Sequence, residues 1–225
     1  MTAFPFDLVG FDLDGTLLDT SGDLGVALNH ALALAGRPAI PLAEAARHIG
    51  GGTASMLRSA LAASGGALPE DATLALQERL VAFYADNIAA HTRPYPGALA
   101  MLDDLAARGV QLAVATNKRE GLAVQLFTAL GLIDRFACVI GGDTLGLERA
   151  KPRPDMIHAM VARAGGGRAA FVGDTTYDVG AARAAQVPVV AVSFGFNDRP
   201  PRELGADAVI DHFDELVPAL SRLGG

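Results

Sequence analysis

Phe11-Asp12-Leu13-Asp14-Gly15-Thr16-Leu17-Leu18-Asp19 follows the short apolar run Leu8-Val9-Gly10. The run reads as a buried strand, and Gly15 lets the backbone turn sharply where it ends. Side chains two apart on an extended segment point to the same side. Asp12 and Asp14 are therefore expected to enter one pocket, with Leu13 turned back into the core. Two carboxylates that close repel unless a cation or a shared proton intervenes. Taken alone, the stretch also reads as a strand followed by a solvated Asp-Gly turn. The segments on its C-terminal side decide between the two.

From Thr20 to Arg93 strand-like runs disappear. Apolar residues recur at helical spacing from Asp23 to Ala35 and from Leu42 to Ile49. A third helix is expected from a Thr53 cap through Ala63, and a fourth from Pro69 to about Ala90. From Pro96-Gly97 onward helices and apolar strands alternate. The expected strands are Val110–Ala115, Phe136–Ile140, Ala169–Val172, Val187–Val192 and Ala208–Ile210. Between them lie helices over Ala98–Arg108, Arg119–Leu130, Pro154–Ala164 and Thr176–Ala185, and His212–Leu223 closes the chain. That alternation predicts an α/β fold, a doubly wound parallel sheet with helices on both faces. Residues 20–93 form an all-α insertion between its first strand and the rest, so the core domain is 1–19 plus 94–225.

In such sheets ligands bind outside the carboxyl ends of the strands. The first strand delivers Asp12 and Asp14; the next delivers Thr116-Asn117-Lys118. The third leads through Gly141-Gly142-Asp143 to Lys151-Pro152, and the fourth to Gly173-Asp174-Thr175-Thr176-Tyr177-Asp178. Several carboxylates at one edge call for a hard cation, and Mg²⁺ accepts one or two carboxylates plus a substrate phosphate. Thr116, Asn117 and Lys151 offer hydrogen-bond donors for phosphate oxygens. Thr175 or Thr176 can cap the following helix. An ionised carboxylate can act as a nucleophile, and a second can move the protons.

Composition narrows the choices. Half of the 225 residues are hydrophobic (51%) and 19% are charged, which suits a packed globular chain. A net charge of −7 argues against a nucleic-acid surface. No apolar run is long enough to span a bilayer, and Met1–Asp7 lacks the pattern of a secretory leader. A soluble cytoplasmic protein without nucleic-acid or membrane partners is expected. Cys138 sits in an apolar run and reads as a small buried hydrophobe. Lys118 and Lys151 are the chain's only lysines, every other basic residue being Arg or His.

FDLDGTLLDT, TNK, KPRPD and GDTTYD, in that order, resemble the four signatures of haloacid dehalogenase superfamily hydrolases with a helical cap inserted after the first strand. The likeness runs essentially the whole length and is strongest to phosphoglycolate phosphatases, which commonly carry Ser where Thr175 stands. It implies a Rossmann-like core, Asp12 as nucleophile and Asp14 as general acid/base. It also implies phosphate binding by Thr116 and Lys151, and Mg²⁺ held by Asp12, the Asp14 carbonyl and Asp174 with support from Asp178. Dehalogenases of the family lack the second acid that Asp14 supplies. Phosphonatases, and many of the sugar phosphomutases, use a cap lysine, and residues 20–93 contain none. The expected reaction is hydrolysis of a small phosphate monoester, phosphoglycolate first, with sugar phosphates, nucleoside monophosphates or pyrophosphate behind it. Mutase activity and a non-catalytic binding role are the remaining alternatives.

Within the insertion, Arg47-His48-Ile49-Gly50-Gly51-Gly52-Thr53 stands out. Exposed amides at a helix start bind anions, and Arg47 and Gly51 are candidate contacts for the leaving group. The same loop also reads as a glycine stop followed by a Thr cap. His30, His91, His158 and His212 show no metal-like spacing and are expected to pack or face solvent. Asp19 is expected to serve a hinge at Leu18–Ser21, with the return linker stiffened by Pro94 and Pro96.

Overall fold

The strand that carries the first acids is buried along its length. Leu8–Phe11 (β1) alternates its side chains between two apolar layers, Val9 and Phe11 in one and Leu8 in the other. A computed structural model of the chain describes residues Phe4–Gly225. The Met1–Ala3 start of the leader-peptide reading lies outside the described residues.

After β1 come a two-residue strand, Leu18–Asp19 (β2), and four helices: Ser21–Leu34 (α1), Leu42–Ala45 (α2), Gly52–Ala63 (α3) and Glu70–Asp86 (α4). Arg93–Pro94 (β3) leads back to Ala98–Ala107 (α5) and Gln111–Ala115 (β4). The alternation continues with Glu120–Ala129 (α6), Cys138–Ile140 (β5), Asp155–Arg163 (α7) and Ala169–Gly173 (β6). Thr176–Ala184 (α8), Val189–Val192 (β7), Ala208–Ile210 (β8) and Leu216–Leu223 (α9) complete the chain.

The main sheet is parallel throughout, in the order β5-β4-β1-β6-β7-β8. The chain steps outward from β1 on one side, returns, and fills the other, so β1 lies at the switch point where crevices open. Buried residues of α5, α6 and α9 cover one face; those of α7 and α8 cover the other. Register fixes the edge: Phe11 lies opposite Val114 and Val172, so Asp12, Thr116 and Asp174 leave the sheet within one residue of each other.

None of the residues between β2 and β3 joins that sheet. There α1 packs on α2 and α4, and α3 packs on α4. Leu28, Leu57, Leu80 and Tyr84 belong to the same apolar cluster as Leu13, Leu17 and Leu18 of the first turn. β2 and β3 pair antiparallel, Leu18 against Pro94 and Asp19 against Arg93, so the chain leaves and re-enters side by side. Two residues per strand carry too little pattern to be read from sequence. The buried carboxylate of Asp23 clasps this root. It accepts hydrogen bonds from the backbone N–H groups of His91 and Thr92 and from the Thr92 hydroxyl at 2.7 Å.

The second helix is shorter than expected: α2 tightens into a 3₁₀ turn over Ala46–His48, a common way for a helix to end. Thr53 is not a cap, because α3 begins one residue earlier with Gly51 at its N-cap. The fourth helix stops at Asp86, before the expected Ala90. Among the described residues no helix is long and apolar enough to cross a membrane.

Asp23→Ala is expected to cost about 2–4 kcal/mol, since it strands buried donors that now reach a charged acceptor. A thermal melt should show Tm lowered by roughly 4–16 °C. An unchanged Tm would show that the clasp contributes nothing.

Candidate active site

Asp12 is the first residue beyond β1, and its backbone N–H still donates to the Val172 carbonyl. This last ladder bond fixes the carboxylate at the sheet edge. Asp174 follows β6, and Asp178 lies in the first turn of α8. One oxygen from each of these three buried carboxylates lies within 4.8 Å of the others. Close approach on that scale needs room. A Cβ on Gly15 would lie 2.3 Å from an Asp174 oxygen, and one on Gly173 would lie 2.3 Å from the Asp178 Cβ. Gly15 also holds φ at +83°, which L side chains rarely adopt.

Lys151 is the counter-charge. Its Nζ donates to Asp178 Oδ1 at 2.5 Å and lies 3.0 Å from Asp12 Oδ1. That Asp12 oxygen is buried yet receives no properly directed hydrogen bond. The other Asp178 oxygen accepts from the backbone N–H groups of Asp174 and Thr175 and from the Thr175 hydroxyl. Asp174 accepts from the Thr16 hydroxyl at 2.8 Å and the Phe196 N–H at 2.7 Å. Asn197 donates to the Asp174 carbonyl. Thr175 thus supports Asp178, while Asp198 takes the Thr176 N–H at the start of α8.

One ammonium does not neutralise three acids in a dry site. Burial pushes the Asp12 carboxyl up to about 6, with Lys151 opposing and Asp178 and Asp14 adding to the rise. Burial, Asp178 and Asp12 hold Asp174 well above the usual carboxylate range. Burial works against the Lys151 ammonium, but Asp12 and Asp178 more than offset it and keep it above the usual lysine range. Oxygen-only donors and a bare buried carboxylate oxygen fit a hard divalent cation.

Asp14 faces a different partner. Lys118 Nζ donates to both of its oxygens, at 2.8 and 2.9 Å, and the Thr20 hydroxyl donates at 2.7 Å. Its carboxylate lies outside the cluster of three. The chain's two lysines are both buried, each paired with one acid of the first turn. Lys118 also sits over the ring of Tyr84 from α4, 4.7 Å from its centroid. Asp12, Asp14, Thr116, Asn117 and Lys118 floor a cavity roofed by Ile49, Gly50, Gly52, Thr53, Met56, Leu80 and Tyr84.

The structure brings together Asp12, Asp174, Asp178 and Lys151, with Thr116 and Asp14 beside them. Asn117 is committed elsewhere: its amide donates to the Lys151 carbonyl and accepts from the Lys151 N–H, so it positions the lysine's backbone. Arg47 is exposed and lies outside the cavity lining. Gly51 is also outside it, near Ser55 and Tyr177, while its neighbours Gly50 and Gly52 line it. Sequence reading missed Thr16, Thr20, Tyr84 and the loop Phe194-Gly195-Phe196-Asn197-Asp198. That loop succeeds β7, and asking which residues leave this strand's carboxyl end would have found it.

Comparison with known proteins agrees with this architecture. The family of haloacid dehalogenase-like hydrolases matches residues 9–192. A phosphoglycolate phosphatase of Agrobacterium fabrum is 42% identical, covering 98% of this chain and 95% of its own. One of Rhodospirillum rubrum is 44% identical, covering 92% and 87%. Among solved structures, a predicted phosphoglycolate phosphatase from Haemophilus somnus aligns with TM-score 0.86 at 30% identity, over 97% of this chain and 98% of that one.

Cation binding to the cluster must displace protons that the raised Asp12 and Asp174 carboxyls hold. Below about pH 6 protons win at Asp12, so affinity for a divalent cation is expected to weaken as pH falls from 7 to 5. Calorimetric titrations across that range check this; an affinity flat in pH would refute it.

Proposed function

The chain belongs to the haloacid dehalogenase-like hydrolase family as a phosphoric monoester hydrolase, and on that premise we propose that it hydrolyses phosphoglycolate or a similarly small phosphate ester, with Mg²⁺ as cofactor, through an aspartyl-phosphate on Asp12. The carrying observation is the Asp12 carboxylate itself. It is buried at the sheet edge with Oδ1 3.0 Å from the Lys151 ammonium, an oxygen that receives no properly directed hydrogen bond.

Asp12, the Asp14 carbonyl and Asp174 would hold the Mg²⁺, which supplies positive charge against the phosphoryl oxygens. Lys151 adds fixed charge on the same side, and the Thr116 hydroxyl can donate to a phosphoryl oxygen. An Asp12 oxygen attacks phosphorus as the ester oxygen departs. Asp14, which must enter this step protonated, gives its proton to that alkoxide, a contribution of about 10²–10⁴-fold. Asp14 then takes a proton from water as the water oxygen attacks phosphorus and the bond to Asp12 breaks, releasing phosphate. Lys118 and Thr20 fix the orientation of Asp14 for both transfers. Residues 1–19 with 94–225 act as the catalytic core. Residues 20–93 act as a cap that controls water access. Gly50, Gly52 and Thr53, rather than Arg47, are the part of the cap loop that borders the cavity.

Asp12→Asn should lower kcat for phosphoglycolate by at least about 10³-fold, the order expected for loss of a nucleophile, with its circular dichroism spectrum unchanged. Near-normal turnover, with deamidation excluded by mass spectrometry, would rule out Asp12 as nucleophile. EDTA should abolish phosphate release and excess Mg²⁺ should restore it. Full activity in metal-stripped protein would dismiss the cation.

A further inference from the structure

The phosphate machinery accounts for Lys151 fully, and for Lys118 only as the group that orients Asp14. Lys118 is buried, lines the cavity, and has three N–H donors, of which Asp14 takes two. Next to it, the Tyr84 hydroxyl is buried in the same lining, within reach of Lys118 and with no acceptor for its own proton. Burial pushes that phenol up to about 12, so it stays a proton donor. A buried hydroxyl whose proton has no acceptor is costly. Two such donors match the two oxygens of a carboxylate.

The rest of the roof excludes other leaving groups. Leu24, Ile49, Met56, Leu80 and Val81 offer no hydrogen bonds, and apart from Tyr84 only Thr53 adds a side-chain hydroxyl there. A sugar would bring several hydroxyls against apolar carbon, each unsatisfied. A compact ester with one anionic end would not.

Resting on the phosphatase reading, the geometry points to Lys118 and Tyr84 as the seat for a carboxylate on the leaving group. Lys118 bridges Asp14 and the substrate, and Tyr84 supplies the second donor from the helical insertion. Specificity is then shared across the seam: the core contributes the charge and α4 contributes the hydroxyl. A site built to hydrogen-bond a group rejects analogues that lack it.

The test compares kcat/KM for 2-phosphoglycolate and for 2-hydroxyethyl phosphate, which replaces the carboxylate by a neutral hydroxymethyl group. Wild type should prefer phosphoglycolate by about tenfold or more. Tyr84→Phe removes one oxygen atom and should cut that preference severalfold, chiefly through KM. Lys118→Met should bring the two esters to within about threefold of each other. With wild-type protein alone, 3-phosphonopropionate should inhibit about tenfold better than propylphosphonate. An active wild type that treats the two esters, or the two phosphonates, alike overturns the carboxylate seat and leaves the phosphatase reading standing. So does an unchanged preference in both variants, including the case where both esters slow in parallel because Asp14 has lost its support. A wild type inert toward both esters with Mg²⁺ present would overturn the phosphatase reading and the seat with it.

Discussion

Three buried carboxylates crowd together at the carboxyl edge of β1 and β6, two of them paired with the Lys151 ammonium, and the rest of the structure is arranged so that this can persist. Burying one unpaired acid already costs several kcal/mol. Burying three together is tolerable only because fixed donors surround them. Asp178 draws on the Asp174 and Thr175 amides just ahead of α8, and Asp174 on Thr16 and Phe196. Asp12 is the one left short, with an oxygen beside the Lys151 ammonium that receives no properly directed hydrogen bond. The deficit is thus concentrated on one atom, at the floor of the cavity rather than in the hydrophobic layers behind it. A site that stays electrostatically incomplete when folded is suited to a cation and an electrophile arriving together.

The helical insertion answers a different demand. It must cover the cavity without losing its place, although it hangs from two crossings of the chain. The β2–β3 ribbon and the Asp23 clasp hold the crossings together, and the apolar cluster shared with Leu13, Leu17 and Leu18 seats the helices on the core. Lys118 sits where these demands meet. It is bound by charge to Asp14 of the core and stacked on Tyr84 of the insertion. A compact ammonium on a flexible stem can serve two such partners in different directions, whereas a planar guanidinium would have to choose a plane.

Much of this is legible in the sequence because the signals are strong and local. Apolar runs three to five residues long, each succeeded by polar residues, determine a parallel sheet and the identity of its functional edge. Asp12, Thr116, Lys151 and Asp174 can therefore be read from the polar residues at the carboxyl ends of the strands. The features that escape are set by tertiary geometry. Nothing in Thr-Asn-Lys says that Asn117 turns to hold the Lys151 backbone. Nothing in a helical stripe of Leu80, Val81 and Tyr84 distinguishes a core tyrosine from one whose hydroxyl borders a cavity. Arg47 attracts notice by its charge, yet it sits in a 3₁₀ turn exposed to solvent, while Gly50 and Gly52 line the cavity.

The scarcity of lysine bears on how the two ammonium groups divide their work. In a chain whose other fixed cations are arginines, both lysines are buried, and each reaches a different acid of one turn. Asp12 and Asp14 stand two residues apart, so a cation shared between them would leave each half-neutralised and free to exchange partners. Separate counterions prevent that. Lys151 is anchored through Asn117 and Asp178 and cannot follow Asp14; Lys118 is anchored through Tyr84 and cannot follow Asp12. Asp12 therefore keeps its place beside Lys151 while Asp14 keeps its place beside Lys118. Two acids of one turn are thereby told apart by their surroundings, although they are chemically the same side chain.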